Sequence, residues 1–185
     1  ISAIGETGLD YDRKLISKQL LKSSKQTIID VKTFDYLKTK QKEIFKNYIF
    51  LANQNNLPII LHCRKAYYNI LTLLKETNFT GNFMFHNYYA NIEITKNILK
   101  NFECCFFSFN LQNIIEKKNY IKIKQLFAVI PITKILLETD APFALKYENI
   151  ENLIENSVSI LSEIFGLPKS TVADKIFENA NRFLR

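Results

Sequence analysis

Pro58-Ile59-Ile60-Leu61-His62-Cys63-Arg64 is the stretch that decides the fold. A proline opens it, three branched apolar residues follow, and the run stops on a histidine. A run this short and this continuously apolar reads as a strand covered on both faces, the kind that parallel sheets contain. The same pattern recurs. Ser2-Ala3-Ile4-Gly5 stops on Glu6, and Asn82-Phe83-Met84-Phe85 stops on His86. Lys134–Leu137 leads into Glu138, Thr139 and Asp140, and Cys104–Phe109 is a fifth run, ending near Ser108 and Asn110.

Between these runs the period changes to that of a helix. Lys42–Asn53 sets Phe45, Tyr48, Ile49 and Ala52 on one stripe, and Tyr67–Lys75 does the same with Tyr67, Ile70, Leu71 and Leu74. Ile92–Phe102 and Ile114–Phe127 read as further helices. Asn149–Phe165 stops at Gly166 with Pro168 behind it, and Ser170 is the expected cap of a last helix. Arg13–Lys40 is rich in Lys, Ser, Thr and Asp with weak periodicity, and reads as a surface insertion. The alternation of strand and helix predicts an α/β domain with a parallel sheet. A complete (β/α)₈ barrel runs to about 250 residues, roughly 65 more than this chain, the length of about two β/α units. A barrel lacking its N-terminal strands fits the length and the abrupt start at Ile1. An open doubly wound sheet is the alternative, though the four glycines form no phosphate-binding loop.

Composition narrows the class of function. No run nears the roughly 18 apolar residues that a membrane span needs. The cysteines, Cys63, Cys104 and Cys105, are odd in number and form no disulfide framework or zinc spacing, which fits a reducing compartment such as cytoplasm or nucleus. The net charge of +7 admits a phosphate-rich partner. It equally fits a Lys-, Asn- and Ile-rich coding bias with solvated lysine faces.

Chemistry gathers where the strands end. Glu6, His62, His86 and Asp140 are four potential metal ligands, and His62 and His86 are the chain's two histidines. Parallel α/β proteins collect active sites at the carboxyl ends of strands, so residues distant in sequence can share a site there. Alternation along a strand turns Cys63 away from His62 into the helix layer and returns Arg64 to the side of His62, where a guanidinium suits phosphate oxygens. Glu6, Gly8 and Asp10 share one side. Asp10 either orients a ligand or caps a turn. Glu138 shares the parity of Asp140, which stands further out and is the better ligand, with Glu138 in support. Ser108 and Asn110 read as a solvated strand end, with a polar substrate contact as the alternative. Mixed imidazole and carboxylate donors suit Zn²⁺ or Mn²⁺ better than Ca²⁺, and a carboxylate can bridge two ions for attack on a phosphate ester.

Gly5-Glu6-Thr7-Gly8-Leu9-Asp10-Tyr11, Leu61-His62-Cys63-Arg64-Lys65-Ala66 and Glu138-Thr139-Asp140-Ala141-Pro142 resemble, in that order, the three central motifs of the TatD family of metal-dependent deoxyribonucleases. Gln41–Leu51 and Glu178-Asn179-Ala180-Asn181-Arg182-Phe183 resemble that family too. The resemblance implies a TIM-type barrel of the amidohydrolase kind. It implies that Glu6 bridges two divalent cations, that His62 and His86 complete the shell of one, and that Asp140 binds the other and takes the proton of the attacking water. It does not separate Mg, Mn and Zn. The implied activity is hydrolysis of DNA phosphodiesters, often from an end.

The departures are specific. The family's His-x-His pair on the first strand has no counterpart here. Ala90 stands where the family has glycine after the third ligand, Phe143–Asn149 looks shortened, and Arg13–Lys40 looks long. Alternatives are a related metallohydrolase acting on a small amide or ester, or a non-catalytic nucleic-acid-binding relic. Without the His pair one position keeps Glu6, His62 and His86, while the other keeps only Glu6 and Asp140. The chain as printed is therefore expected to hold at most one ion tightly.

Overall fold

The computed structural model describes residues 1–21, 28–141 and 149–185. The chain divides into two compact units, 1–81 and 82–185.

In the first unit β1 (Ile4–Asp10) pairs in parallel with β2 (Ile59–Arg64). The helices are α1 (Arg13–Leu20), α2 (Val31–Asn55) and α3 (Tyr67–Glu76). Leu9, Phe45, Ile49, Ala52, Ile59, Leu61, Ile70 and Leu74 are fully or almost fully buried and form its core. Where periodicity is weak, caps decide the helices. Asp12 accepts from the backbone N–H groups of Lys14 and Leu15 to start α1, and Asp30 accepts from Thr33 N to start α2. Residues 13–20 and 31–40 are therefore helical, and α2 extends well beyond the Lys42–Asn53 stripe. It stops at Asn56, whose φ of 51° is the left-handed turn that ends many helices.

In the second unit β3 (Phe83–Phe85), β4 (Cys105–Asn110) and β5 (Ile135–Glu138) pair in parallel, with Phe85 opposite Phe107 and Asn110 opposite Glu138. The helices are α4 (Ile92–Asn101), α5 (Leu111–Ile115), α6 (Tyr120–Phe127), α7 (Ile150–Phe165) and α8 (Lys169–Phe183). The core is aromatic. Tyr88 meets Phe107 edge-on at 4.7 Å between ring centres, and Phe109 meets Phe127 at 4.6 Å. All six residues of β4 are buried, as a central strand of a covered parallel sheet requires.

Two helix expectations are corrected. Ile114–Phe127 is two helices and not one: Asn110 caps α5, Glu116 turns extended, and a 3₁₀ turn over Lys117–Asn119 precedes α6. Ser170 does not cap α8. Pro168 stands at the cap with φ of −56° and Lys169 begins the helix, with no side-chain cap hydrogen bond. Gly166 does end α7, at φ 64°.

The motif at 178–183 has a structural reason. Asn179 is buried on α8, and its amide donates to Ile132 O at 2.7 Å and Ile135 O at 2.8 Å, at the entrance of β5. Arg182 donates to Thr133 O at 3.1 Å, and Phe183 meets Phe106 edge-on. Asn179→Ala is expected to cost about 2 kcal/mol for two lost hydrogen bonds, with Ile132 O still accepting from Ile135 N. Urea unfolding of the variant beside wild type measures this, and a loss under half a kcal/mol refutes the role.

Candidate metal centre

Glu6 and His62 do not end their strands. Each lies inside one, because β1 and β2 go on pairing through Leu9 with Cys63 and Asp10 with Arg64. That continuation depends on Gly8. It stands opposite His62 at φ 150°, and a Cβ on it would lie 2.0 Å from the His62 carbonyl oxygen. Only glycine lets the two backbones approach this closely. The parity reading holds from Glu6 onward: Thr7 and Leu9 are buried, while Glu6, Gly8 and Asp10 face the other side, and it breaks before that, where Ile4 is buried and Gly5 exposed.

On that side the polar groups interlock. His62 Nδ1 meets Glu6 Oε1 at 2.6 Å, and His62 Nε2 stands 3.6 Å from Asp10 Oδ2. Arg64 donates to the same Asp10 oxygen at 3.0 Å and is 44% exposed, so it lies beside His62 and open to solvent. Of the two readings of Asp10, the turn is the one that a hydrogen bond carries. Its other oxygen accepts from Asp12 N at 2.8 Å and fixes the turn into α1. Lys65, just past β2, reaches Asp12 at 2.8 Å, and that hydrogen bond is the main reason the Asp12 carboxyl lies below its ordinary range.

Sequence reading passed over how Gln41 of α2 serves this cluster. Its Oε1 accepts from Asp10 N at 2.8 Å and its Nε2 donates to Asp10 O at 3.0 Å. One amide thus fills both backbone positions of the last residue of β1, as a further strand would. A glutamine on an apolar-faced helix carries no periodic signal of such a clamp.

The second unit repeats the arrangement around His86. His86 Nδ1 meets Glu138 Oε2 at 2.9 Å, and His86 Nε2 stands 3.5 Å from Asp140 Oδ1. The other Glu138 oxygen accepts from Asn87 N at 2.8 Å. Asn87 and Asp140 are held at φ 46° and 52°, the left-handed region that non-glycine residues seldom occupy and that clusters at functional sites. The expected solvated end of β4 is corrected. Ser108 and Asn110 are buried, and Asn110 donates to Thr139 O at 3.0 Å while accepting from Gln112 N, so it ties the end of β4 to the segment that carries Asp140. Pro142 and residues 143–148 lie outside the described residues.

Both histidines are therefore held at Nδ1 by a glutamate and look at an aspartate through Nε2. An imidazole fixed at one nitrogen by a carboxylate presents the other to a cation. Two donors of a tetrahedral site with bonds of about 2.1 Å lie about 3.4 Å apart. The His62–Asp10 and His86–Asp140 separations match that edge, so the donors suit a divalent ion pair by pair. Among the described residues, no group of three or more His, Cys, Asp or Glu side chains is arranged to hold an ion. Cys63 is no part of the donor set: burial pushes its thiol up to about 12.

Parallel strands with histidines and carboxylates near their carboxyl ends define a hydrolase-type α/β fold. The chain belongs to the TatD related DNase family, whose model matches residues 1–185. It is 30% identical over 193 residues to an uncharacterized metal-dependent hydrolase, YabD, of Bacillus subtilis, covering all of this chain and 66% of that protein. It is 25% identical over 151 residues to the 3'-5' ssDNA/RNA exonuclease TatD of Pantoea vagans, covering 78% of this chain and 46% of that one. Among solved structures, a TatD family hydrolase from Entamoeba histolytica matches with a TM-score of 0.70 at 22% identity, over 99% of this chain and 63% of that one. The TatD homolog YJJV of Escherichia coli matches with a TM-score of 0.71 at 20% identity, over 98% and 62%. Over its length the chain thus has the α/β fold of these TIM-type barrels, of which it covers 63% and 62%. The chain spans about two thirds or less of these proteins' own lengths. No helix among the described residues is long and apolar enough to cross a membrane.

Two measurements check this geometry. A thiol at about 12 is protonated at pH 8, so an iodoacetamide pulse on the folded protein should modify the exposed Cys104 and spare Cys63, as read by peptide mass spectrometry. Rapid alkylation of Cys63 contradicts its placement. Gln41→Leu should cost about 2 kcal/mol in urea unfolding, and Gln41→Glu, which keeps only the acceptor, about half of that. Equal stability of all three proteins removes the clamp.

Proposed function

We propose that Glu6, His62, His86 and Asp140 are metal ligands of a hydrolase that cleaves DNA phosphodiester bonds with an activated water. The observation that carries this is the twice-repeated imidazole held between a glutamate and an aspartate. Membership of the family and the exonuclease named among the relatives support DNA as the substrate. A divalent ion bound there supplies a Lewis acid for the phosphoryl oxygen and lowers the pKa of a water.

The side chains divide the remaining work. Asp140 accepts the proton of the water as it attacks phosphorus and returns it to the sugar oxygen as the P–O bond to that leaving group breaks. In this reading Glu6 orients the His62 ring at Nδ1 and shares its carboxylate with a cation, while Asp10 faces Nε2. Glu138 holds the His86 ring from behind. Arg64, exposed beside His62, offers its guanidinium to a non-bridging phosphate oxygen, a planar match that lysine lacks.

Asp140→Asn isolates the proton transfer. Asparagine tolerates the left-handed conformation of position 140, so the fold should stay intact, while an amide takes no proton and binds a cation poorly. Turnover of single-stranded DNA should drop about 10²–10⁴-fold with metal content controlled by elemental analysis. Near-normal cleavage would make Asp140 dispensable. Hydrolysis of a panel of small esters and amides, with DNA untouched by the wild type, would replace the DNA reading.

A further inference from the structure

Tyr88 and Tyr89 follow the His86 ligand position and part company at once. Tyr88 turns inward: it is 1% exposed, packs on Phe107 and Phe109, and its hydroxyl meets Thr95 Oγ1 at 2.8 Å. Tyr89 turns outward with 39% of its surface exposed, and the core does not need it. Its ring is nevertheless fixed from several directions. The Lys122 ammonium sits 3.3 Å from the ring centre and donates to the Tyr89 carbonyl at 2.9 Å. The Tyr89 hydroxyl donates to Asn119 Oδ1 at 3.1 Å.

That hydroxyl is the end of a chain of amides. Asn119 Nδ2 donates to Asn113 Oδ1 at 3.3 Å, and Asn113 Nδ2 donates to Asn87 Oδ1 at 3.0 Å. Asn87 N then donates to Glu138, which holds His86. Ring and ligand are thus coupled within one unit through four residues, and nothing about packing demands the coupling.

We propose that Tyr89 is a stacking platform for a nucleobase of a single-stranded nucleic acid, with Lys122 against it to meet the backbone. The proposal rests on the phosphodiesterase reading of the same site and adds to it how the strand is gripped. An exposed ring that is already immobile loses little entropy when a base stacks on it. Aromatic stacking is tolerant of sequence because every base has a π face. Lys122 donates to the Tyr89 carbonyl and covers one face of the ring, and burial pulls its ammonium below the ordinary lysine value, so an approaching phosphate restores what burial takes away. The nearby Glu116 carboxylate is engaged by Lys118 at 3.0 Å and by Asn119 at 3.1 Å, which mutes its repulsion of a strand.

The test uses a fluorescent single-stranded oligonucleotide, intact or with one abasic nucleotide scanned along it. Binding to the full chain is read by polarisation with EDTA present, and cleavage is read separately with Mn²⁺. Wild type should bind one abasic position about 5- to 100-fold more weakly than the intact strand, the range for loss of one stacked base. Tyr89→Leu should abolish that difference, and Tyr89→Phe, which keeps the ring, should keep it. Wild type that binds intact and abasic strands equally overturns the platform, whether or not it cleaves DNA, and decides the matter even if Tyr89→Leu does not fold. A difference that survives Tyr89→Leu also overturns it. A base-dependent difference that Tyr89→Leu removes, in a protein that cleaves no phosphodiester, leaves the platform standing and removes the hydrolase reading.

Discussion

A side chain at position 8 has no room, and the first unit depends on that. With Gly8 against the His62 carbonyl, β1 stays paired to β2 from Thr7 to Asp10, past an irregularity between Ile4 and Thr7. The pairing sets Glu6 two residues before Gly8 and Asp10 two residues after it, all on one side of the strand. His62, opposite Gly8, therefore sits between the two carboxylates and can be touched by both. An alanine there would push the strands apart, lengthen the ladder hydrogen bonds, and pull both acids off the ring together. The glycine is a distance constraint on the chemistry and not only a turn former.

The second unit reaches the same result without a glycine. His86 follows a three-residue strand, and its acids come from β5 and the segment after it. Position is fixed instead by hydrogen bonds across neighbouring ends: Asn110 to Thr139, and Asn87 N to Glu138. Left-handed backbone at Asn87 and Asp140 turns the chain sharply enough for these contacts to close. Such conformations cost of order 1–3 kcal/mol each and persist where surrounding contacts over-determine them. Asparagine bears that cost best among ordinary residues, which accounts for its presence directly after the histidine.

Legibility in the sequence followed the physics. The apolar stretches of all five strands were visible because a strand buried on both faces must be apolar throughout. The polar ends of β1 and β2 were not, since Gly-Glu-Thr-Gly-Leu-Asp reads as a loop until the close approach at Gly8 is known. The side of Glu6, Gly8 and Asp10, and the inertness of Cys63, followed from alternation alone. The expectation of solvated Ser108 and Asn110 failed because a strand's end can be buried under the next helix, and α5 begins at once after Asn110. The long α2 was hidden because its first turns carry little apolar stripe and rest on a cap, a local hydrogen bond that periodicity does not register. Clamps such as Gln41 on Asp10 join residues 31 apart in sequence, and no local signal announces them.

The two clusters differ in charge, and the difference bears on what each can do. In the first, Arg64 already answers Asp10, so part of the negative charge is met by the protein itself. In the second, Glu138 and Asp140 face one imidazole, and among the described residues no lysine or arginine pairs with either. Two carboxylates around a single ring form a group that a cation stabilises more than it would the first, where a guanidinium competes. The same guanidinium leaves the first cluster with less uncompensated negative charge. Two similar frames, each a histidine between a glutamate and an aspartate, thus carry different balances of charge, because a guanidinium belongs to one of them and not to the other.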